Sequence, residues 1–230
     1  MGRTDDSGPV RSSHQAGSTL RLRDQEVIVR KLVVSAFITL DGVVQAPGGP
    51  QEDTDGGFTA GGWTVPFFDQ HLGEVMGAFM GRPFDLVLGR RTYDVFAAHW
   101  PTATEQDGAG PLNAARKHVA SRGRPQLTWE GSSLIEGDVA AGVAALKEQD
   151  GPELQVHGSG DLLQTLHRHA LVDEWQLLTF PLVLGTGKRL FAGGALPGAL
   201  RLVDSSVSGS GVVVTRYERA GDVVTGSVGG

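Results

Sequence analysis

Apolar positions along the chain alternate between two rhythms. "RKLVVSAFITL" (30–40) is a nearly continuous run of β-branched and apolar residues closed by Asp41-Gly42, the pattern of a buried strand. "FFDQHLGEVMGAFM" (67–80) instead sets Phe68, Leu72, Val75, Met76 and Phe79 at helical spacing, which predicts a helix packed on a sheet. "FDLVLG" (84–89) predicts a short buried strand and "RRTYDVFAAHW" the start of a helix; "KHVAS" (117–121) and "QLTW" (126–129) are strand-like. Asp138 is placed to cap a helix carrying Val139, Val143 and Leu146, and "ELQVH" (153–157) follows as a strand. Leu162, Leu163 and Leu166 mark a helix after Gly160, and "DEWQLLTF" (173–180) another strand. "LRLVDSSVSGSGVVVTRYERA" (200–220) has two strand-like runs around Gly209, Ser210 and Gly211, a closing antiparallel hairpin. Strands alternating with helices and ending in β predict an α/β fold: a mainly parallel mixed sheet with helices on both faces and an antiparallel edge.

Length and composition narrow the classes. A chain of 230 residues builds one substantial core, and 34 glycines imply many turns or close backbone approaches. Residues 1–26 are polar and without period, so they are expected to be a disordered extension before one domain at 27–220, with a flexible tail at 221–230. Between Val43 and Val65, six glycines and two prolines make a loop long enough to suggest function. A net charge of −6 gives no general reason to bind nucleic acid or an anionic membrane. Without cysteine there is no disulfide, thiolate nucleophile or cysteine-held metal, which fits a reducing, cytoplasmic setting. No run approaches the ~20 apolar residues of a membrane span. His167 and His169, two apart, diverge on a helix and cannot share a metal, so no metal is expected.

Candidate chemistry gathers at strand-to-helix junctions. "VHGSGDLLQTL" (156–166) joins a strand through Gly-x-Gly to a helix, a geometry that aims free N–H groups at an anion. It is not a dinucleotide fingerprint, because Leu163 and Leu178 stand where a third glycine and an acid belong, and "GTGK" (185–188) fails as a phosphate loop at Leu182 and Arg189. Taken alone, each glycine cluster also reads as an ordinary turn. "LGRRTYDVF" (88–96), however, is a second junction, with two arginines and a threonine, and Ser121-Arg122 is a third. Three junctions after separate strands converge where open α/β sheets bind ligands.

The stretches "VSAFITLDGVV", "LGRRTYDVF", "KHVAS", "VHGSGDLLQTL", "LVDEWQLLTFPLVLGTGKRLF" and "GSGVVVTRYE" occur in the order and with the character of the dihydrofolate reductase-like superfamily. The chain resembles the bacterial branch similar to the C-terminal reductase domain of the riboflavin-biosynthesis deaminase-reductase, over residues 29 to 220. The resemblance implies an NADPH-dependent reductase on a three-layer sheet, and a homodimer joined through the last strands. It assigns Gly89, Arg90, Arg91 and Thr92 to the pyrophosphate and 2′-phosphate, and Ser121 and Arg122 to the adenosine phosphate. Gly158, Ser159, Gly160, Asp161 and Leu162 form the second cofactor loop, while Ala36, Val44 and Gln45 stand beside the nicotinamide.

On the substrate side Asp69 and then Glu74 are the candidate proton donors, for which a raised pKa is expected; Thr179 and Trp63 are candidate substrate contacts. Asp41 belongs to the "LDG" turn and reads as a turn residue. The reaction implied is hydride transfer to a C=N or C=O carbon of a small pterin-like or ribosyl-pyrimidine substrate. Two alternatives stay open: a nucleotide-binding or sensing module of the same fold that has lost catalysis, and a homodimeric protein without a nucleotide ligand.

Overall fold

The structure is a computed structural model that describes residues 1–2, 29–105, 108–191 and 195–229. Nearly all of the expected N-terminal extension therefore lies outside the described residues. Packing has begun by Arg30, which is buried and donates through Nη2 to Asp85 Oδ2 at 2.5 Å.

Among the described residues the strands are β1 (Leu32–Thr39), β2 (Phe84–Gly89), β3 (Lys117–Ala120), β4 (Ser132–Leu134), β5 (Glu153–His157), β6 (Glu174–Phe180), β7 (Ala199–Val207) and β8 (Val213–Gly221). They form one sheet in the order β4-β3-β2-β5-β1-β6-β8-β7. Every neighbouring pair from β4 to β6 is parallel, and β8 runs antiparallel to both β6 and β7. The central strands β1 and β2 are buried on both faces, which explains why they read as apolar runs rather than as alternation.

Helices α1 (Gln70–Met80), α2 (Arg90–His99), α3 (Ala109–Ala114), α4 (Val139–Lys147) and α5 (Gly160–Arg168) divide between the two faces. Even-numbered residues of β1, such as Leu32 and Val34, pack with Val143 of α4 and Leu162, Leu163 and Leu166 of α5. On the other face Phe180 and Leu178 pack with Leu72 of α1, and Leu86 and Leu88 with Tyr93 of α2 and Leu112 of α3. Each fully buried leucine contributes about 1.5–3 kcal/mol through removal from water.

Two expectations need correction. The stretch 126–129 is not a strand: the Trp129 N–H donates to Tyr93 Oη at 2.9 Å and its indole Nε1 to Asn113 Oδ1 at 2.8 Å. Leu127 and Trp129 alternate because they tuck under α2 and α3 as loop; the true strand, β4, follows at Ser132 and pairs with Lys117. The first helix starts at Gln70 rather than at Phe67, because Pro66 sits in a 3-10 turn, Val65–Phe67, and Asp69 is the N-cap, its Oδ1 accepting from the Leu72 N–H at 3.0 Å.

Candidate functional site

β2 and β5 are neighbours in the sheet, yet the chain leaves them toward opposite faces, into α2 and α5. A crevice opens at such a switch point, at the carboxyl ends of the strands. The two helix N-termini that meet there differ from those of α1 and α4. Asp69 caps α1 and Asp138 caps α4 with side-chain hydrogen bonds, whereas neither Gly89 before α2 nor Ser159 before α5 caps its helix. Their first-turn N–H groups lack a side-chain acceptor from the cap position, the arrangement that suits an anion.

The two junctions are locked to each other. Ser159 Oγ accepts from the Gly89 N–H at 2.9 Å and donates to Thr92 Oγ1 at 2.6 Å. Gly89 must be glycine, since a Cβ there would stand 2.8 Å from both Cβ and Oγ of Ser159. Gly158 (φ 72°) and Ser159 (φ 76°) are both left-handed, and Ser159 holds that conformation in spite of its Cβ. The third junction joins from β3, on the far side of β2, where the Arg122 guanidinium lies 3.5 Å from the Asp161 carboxylate in the first turn of α5. The structure thus brings Gly89, Arg90, Thr92, Ser121, Arg122, Gly158, Ser159, Gly160, Asp161 and Leu162 to one end of the sheet, although Leu162 itself is buried in the core.

The cations there have partners. Arg90 Nε bonds both carboxylate oxygens of Asp94 at 2.7 Å, one turn along α2. Arg91 reaches the 43–65 loop, where Nη1 donates to Asp53 at 2.7 Å and also to Asp55; Lys188 donates to the same two carboxylates at 2.7 and 3.0 Å. These two cations hold the Asp55 carboxyl down at about 2. Gln45 is buried beneath this cluster and organises it: its Nε2 donates to the carbonyls of Asp53 and Asp55, each at 3.0 Å, and its Oε1 accepts from the Lys188 N–H at 3.0 Å. Val44 donates its N–H to the Lys188 carbonyl. Asp41 is the turn residue expected, since Thr39 Oγ1 and the N–H groups of Leu184 and Gly185 hold its carboxyl down at about 2. Ala36 lies just beyond the end of the β1–β5 pairing at Ser35–His157, where β1 continues beside β6 alone.

The substrate-side candidates do not converge. The Asp69 pKa is lowered, not raised, because its carboxylate accepts from Leu72 N–H and, at 3.2 Å, from Ser210 N–H in the β7–β8 turn. Glu74 is exposed on α1 and accepts from Gln70 Nε2 at 2.8 Å. Trp63 is a core side chain, with its Nε1 donating to the Gln45 carbonyl at 2.8 Å and its ring edge-on to Phe180. Thr179 shares with Leu177 the α4/α5 face, opposite to α1. Burial raises instead the carboxyl of Glu52 in the 43–65 loop, which accepts from the N–H groups of Gly48 and Gly49.

Sequence reasoning missed His157. It ends β5 directly before Gly158, on the α1 and α2 face, half-buried among the rings of Phe79, Phe84 and Phe96. Gln155 Nε2 donates to the Phe79 carbonyl at 3.0 Å and to Glu153 Oε1 at 2.7 Å, which leaves Gln155 Oε1 to accept from His157 Nε2 at 3.0 Å. The ring proton is thereby assigned to Nε2, and Nδ1 is an acceptor. Burial pushes the pKa down to about 4, so the imidazole is neutral. The signal was available in the alternation of Glu153, Gln155 and His157, three polar residues on one face of an otherwise buried strand.

A three-layer sheet with a glycine-lined, two-helix cradle at its switch point defines an α/β protein of the dihydrofolate reductase-like type. The sequence matches the RibD C-terminal domain family over residues 30–214, and the chain belongs to that reductase-like family. It is 26% identical over 196 residues to the uncharacterized protein YyaP of Bacillus subtilis, covering 82% of this chain and 94% of that one. In fold it is similar to a putative riboflavin biosynthesis protein from Shewanella sp. PV-4, with a TM-score of 0.63, 22% identity, and coverage of 83% of this chain and 99% of that one. A pyrimidine reductase-like protein from Corynebacterium diphtheriae matches with a TM-score of 0.56 and 13% identity, over 84% and 93% of the two chains. Among the described residues, no group of side chains could hold a metal ion and no helix is long and apolar enough to cross a membrane.

Proposed function

We propose that the protein is an NADPH-dependent reductase acting on a small molecule with a polarised C=N or C=O bond, of the pterin-like or ribosyl-pyrimidine kind. The observation that carries this reading is the pair of uncapped helix N-termini, α2 and α5, fastened together by Ser159 at the switch point of a sheet in this family. The first-turn N–H groups of both helices and Thr92 would hold the pyrophosphate. Arg90 and Arg122 would meet the 2′-phosphate, exchanging carboxylate partners for a dianion. Ala36 and Val44 border the place of the nicotinamide, and Gln45 supports it from below by fixing the loop around Asp53 and Asp55.

NADPH, when bound, supplies the hydride. The chain positions the acceptor and keeps water away, on the α1 face where Phe37 and Phe68 meet edge-on at 5.9 Å. His157 Nδ1 would accept a hydrogen bond from a substrate N–H or O–H and fix its orientation. Asp69 is tied as a cap with a lowered pKa, which favours a second reading, a cofactor-binding module without turnover. Titration of the full chain with NADPH, followed by loss of nicotinamide reduction against pterins, ribosylated pyrimidines and simple carbonyls, separates the two. Absence of NADPH binding at micromolar protein would sink both. A reducing, NADPH-holding cytoplasm is the setting this chemistry needs. The exposed strand β7, with Leu200 and Leu202 facing solvent, supports a homodimer joined there.

A further inference from the structure

The amino end of the sheet, opposite to the cradle, holds a cavity of about 360 Å³ between the second half of α1 and strands β1, β5, β6, β7 and β8. Its roof is apolar, formed by Val75, Ala78 and Phe79. Its floor is polar. Gln176, only 9% exposed, lines it, and its Nε2 is buried without a hydrogen-bond partner among the described residues. A buried amide donor left unpaired destabilises a fold. Leu178, two residues further along the same face, is completely buried and shows what simple packing selects at such a position.

The charges around this amide are of both signs: Glu174 also accepts from Lys31 Nζ and Glu153 from Gln155 Nε2, while the two guanidinium groups are loosely held. Arg82 stands 4.0 Å from Glu153, and Arg216 stands 3.7 Å from the buried Glu174, both beyond hydrogen-bond distance. Asp204 adds a third carboxylate to the lining. An inorganic anion would meet three carboxylates here, and a polyamine would meet two guanidinium groups. A ligand with an acceptor at one end and an ammonium at the other satisfies both sets, and the volume lies at the small end of ligand sites.

We propose that this cavity binds a small amphoteric molecule of the α-amino-acid class, its carboxylate on Gln176 Nε2 and Arg216 and its ammonium on the Glu153 and Asp204 side. The site is separate from the cradle and stands independently of the reductase reading.

Thermal unfolding of the full chain tests it, with wild type and Gln176→Leu each mixed with the proteinogenic amino acids in turn, and with inorganic phosphate, spermidine and NADPH separately. At least one amino acid should raise the wild-type Tm, by roughly 5–10 °C near a hundredfold excess over Kd. Gln176→Leu should lose that response and melt, without ligand, at the same temperature or higher. Should that variant fail to fold, Asp204→Asn on the edge strand should lose the same response. No amino-acid response, a response retained in the variant, a ligand-free Gln176→Leu that folds but melts lower than wild type, or a shift by phosphate or spermidine alone overturns the proposal. An NADPH shift common to wild type and variant leaves the cradle standing whichever way the cavity falls.

Discussion

Ser159 carries both the backbone strain and the hydrogen bonds of the cradle, and substitution separates them. At φ 76° and ψ 74° a residue with a Cβ pays about 1–2 kcal/mol for the left-handed conformation. Its hydroxyl makes two partly buried bonds, to the Gly89 N–H and to Thr92 Oγ1, each contributing about 0.5–1.5 kcal/mol. Ser159→Ala keeps the strain and loses both bonds, so it should lower stability by about 1–3 kcal/mol. Ser159→Gly loses the same bonds and relieves the strain, although glycine adds freedom to the unfolded chain, so it should lie about 0.5–1 kcal/mol above the alanine variant. Urea unfolding followed by circular dichroism measures both, provided the slopes match wild type. The predicted order is wild type, glycine, alanine. An alanine variant at least as stable as the glycine variant would refute the strain argument, and one equal to wild type would refute the hydrogen-bond argument.

The remaining expectations concern the ends of the same cleft. Arg90→Ala or Arg122→Ala should weaken NADPH about ten- to a hundredfold in calorimetric titration and hardly change NADH, from charge-assisted bonds of roughly 1.5–3 kcal/mol each; equal losses for both cofactors contradict the 2′-phosphate assignment. His157 has a folded pKa of about 4 against an ordinary 6.5, so below pH 6.5 the unfolded chain binds a proton that the native imidazole refuses. Stability should therefore fall as pH drops from 6.5 to 4, by up to about 3 kcal/mol, and His157→Phe should flatten that slope in acid titrations of Tm. Asp69→Asn should leave the cap largely intact, whereas Asp69→Ala should cost about 0.5–2 kcal/mol; a variant Asp69→Asn that folds normally but abolishes reduction of an identified substrate would restore Asp69 as the proton donor. Light scattering should give twice the 24.2 kDa chain mass at micromolar concentration, and Leu202→Lys on β7 should shift it to the monomer; a wild-type monomer contradicts the homodimer.

Elements buried on both faces were the most legible in the chain. β1 and β2 lie where apolar runs placed them, because a parallel strand covered on both faces is apolar on both sides and a run of that length has few other uses. Asp138 was readable as a cap because a short acceptor before a periodic stretch has a local job, and Ala141 N–H donates to it at 2.8 Å. The stretch 126–129 misled for the converse reason. Trp129 is buried by tertiary contacts with Tyr93, Phe96 and Lys117, the last with its ammonium 4.2 Å above the indole, and alternation over four residues does not distinguish such a loop from a strand.

The cradle was legible as junctions, since glycines, arginines and hydroxyls following three strands are local features that the sheet order brings together. The groups expected on the substrate side were not, because what each can do is defined across elements. Asp69 looked like an acid on a helix start, and only the Ser210 N–H, 141 residues away, shows the carboxylate committed on both oxygens. Trp63 looked like a wall of the cleft, whereas its Nε1 is spent on the Gln45 carbonyl and its ring on Phe180. Gln45, expected beside the nicotinamide, is also the buried post on which Asp53, Asp55 and Lys188 hang. His157 passed unremarked as the end of a strand, yet its neutral ring gains a defined acceptor edge only because Gln155 is pinned by Phe79 and Glu153. What a side chain near such a cleft can do is set by which of its atoms the rest of the fold leaves unbonded, and that follows from long-range pairing rather than from local pattern.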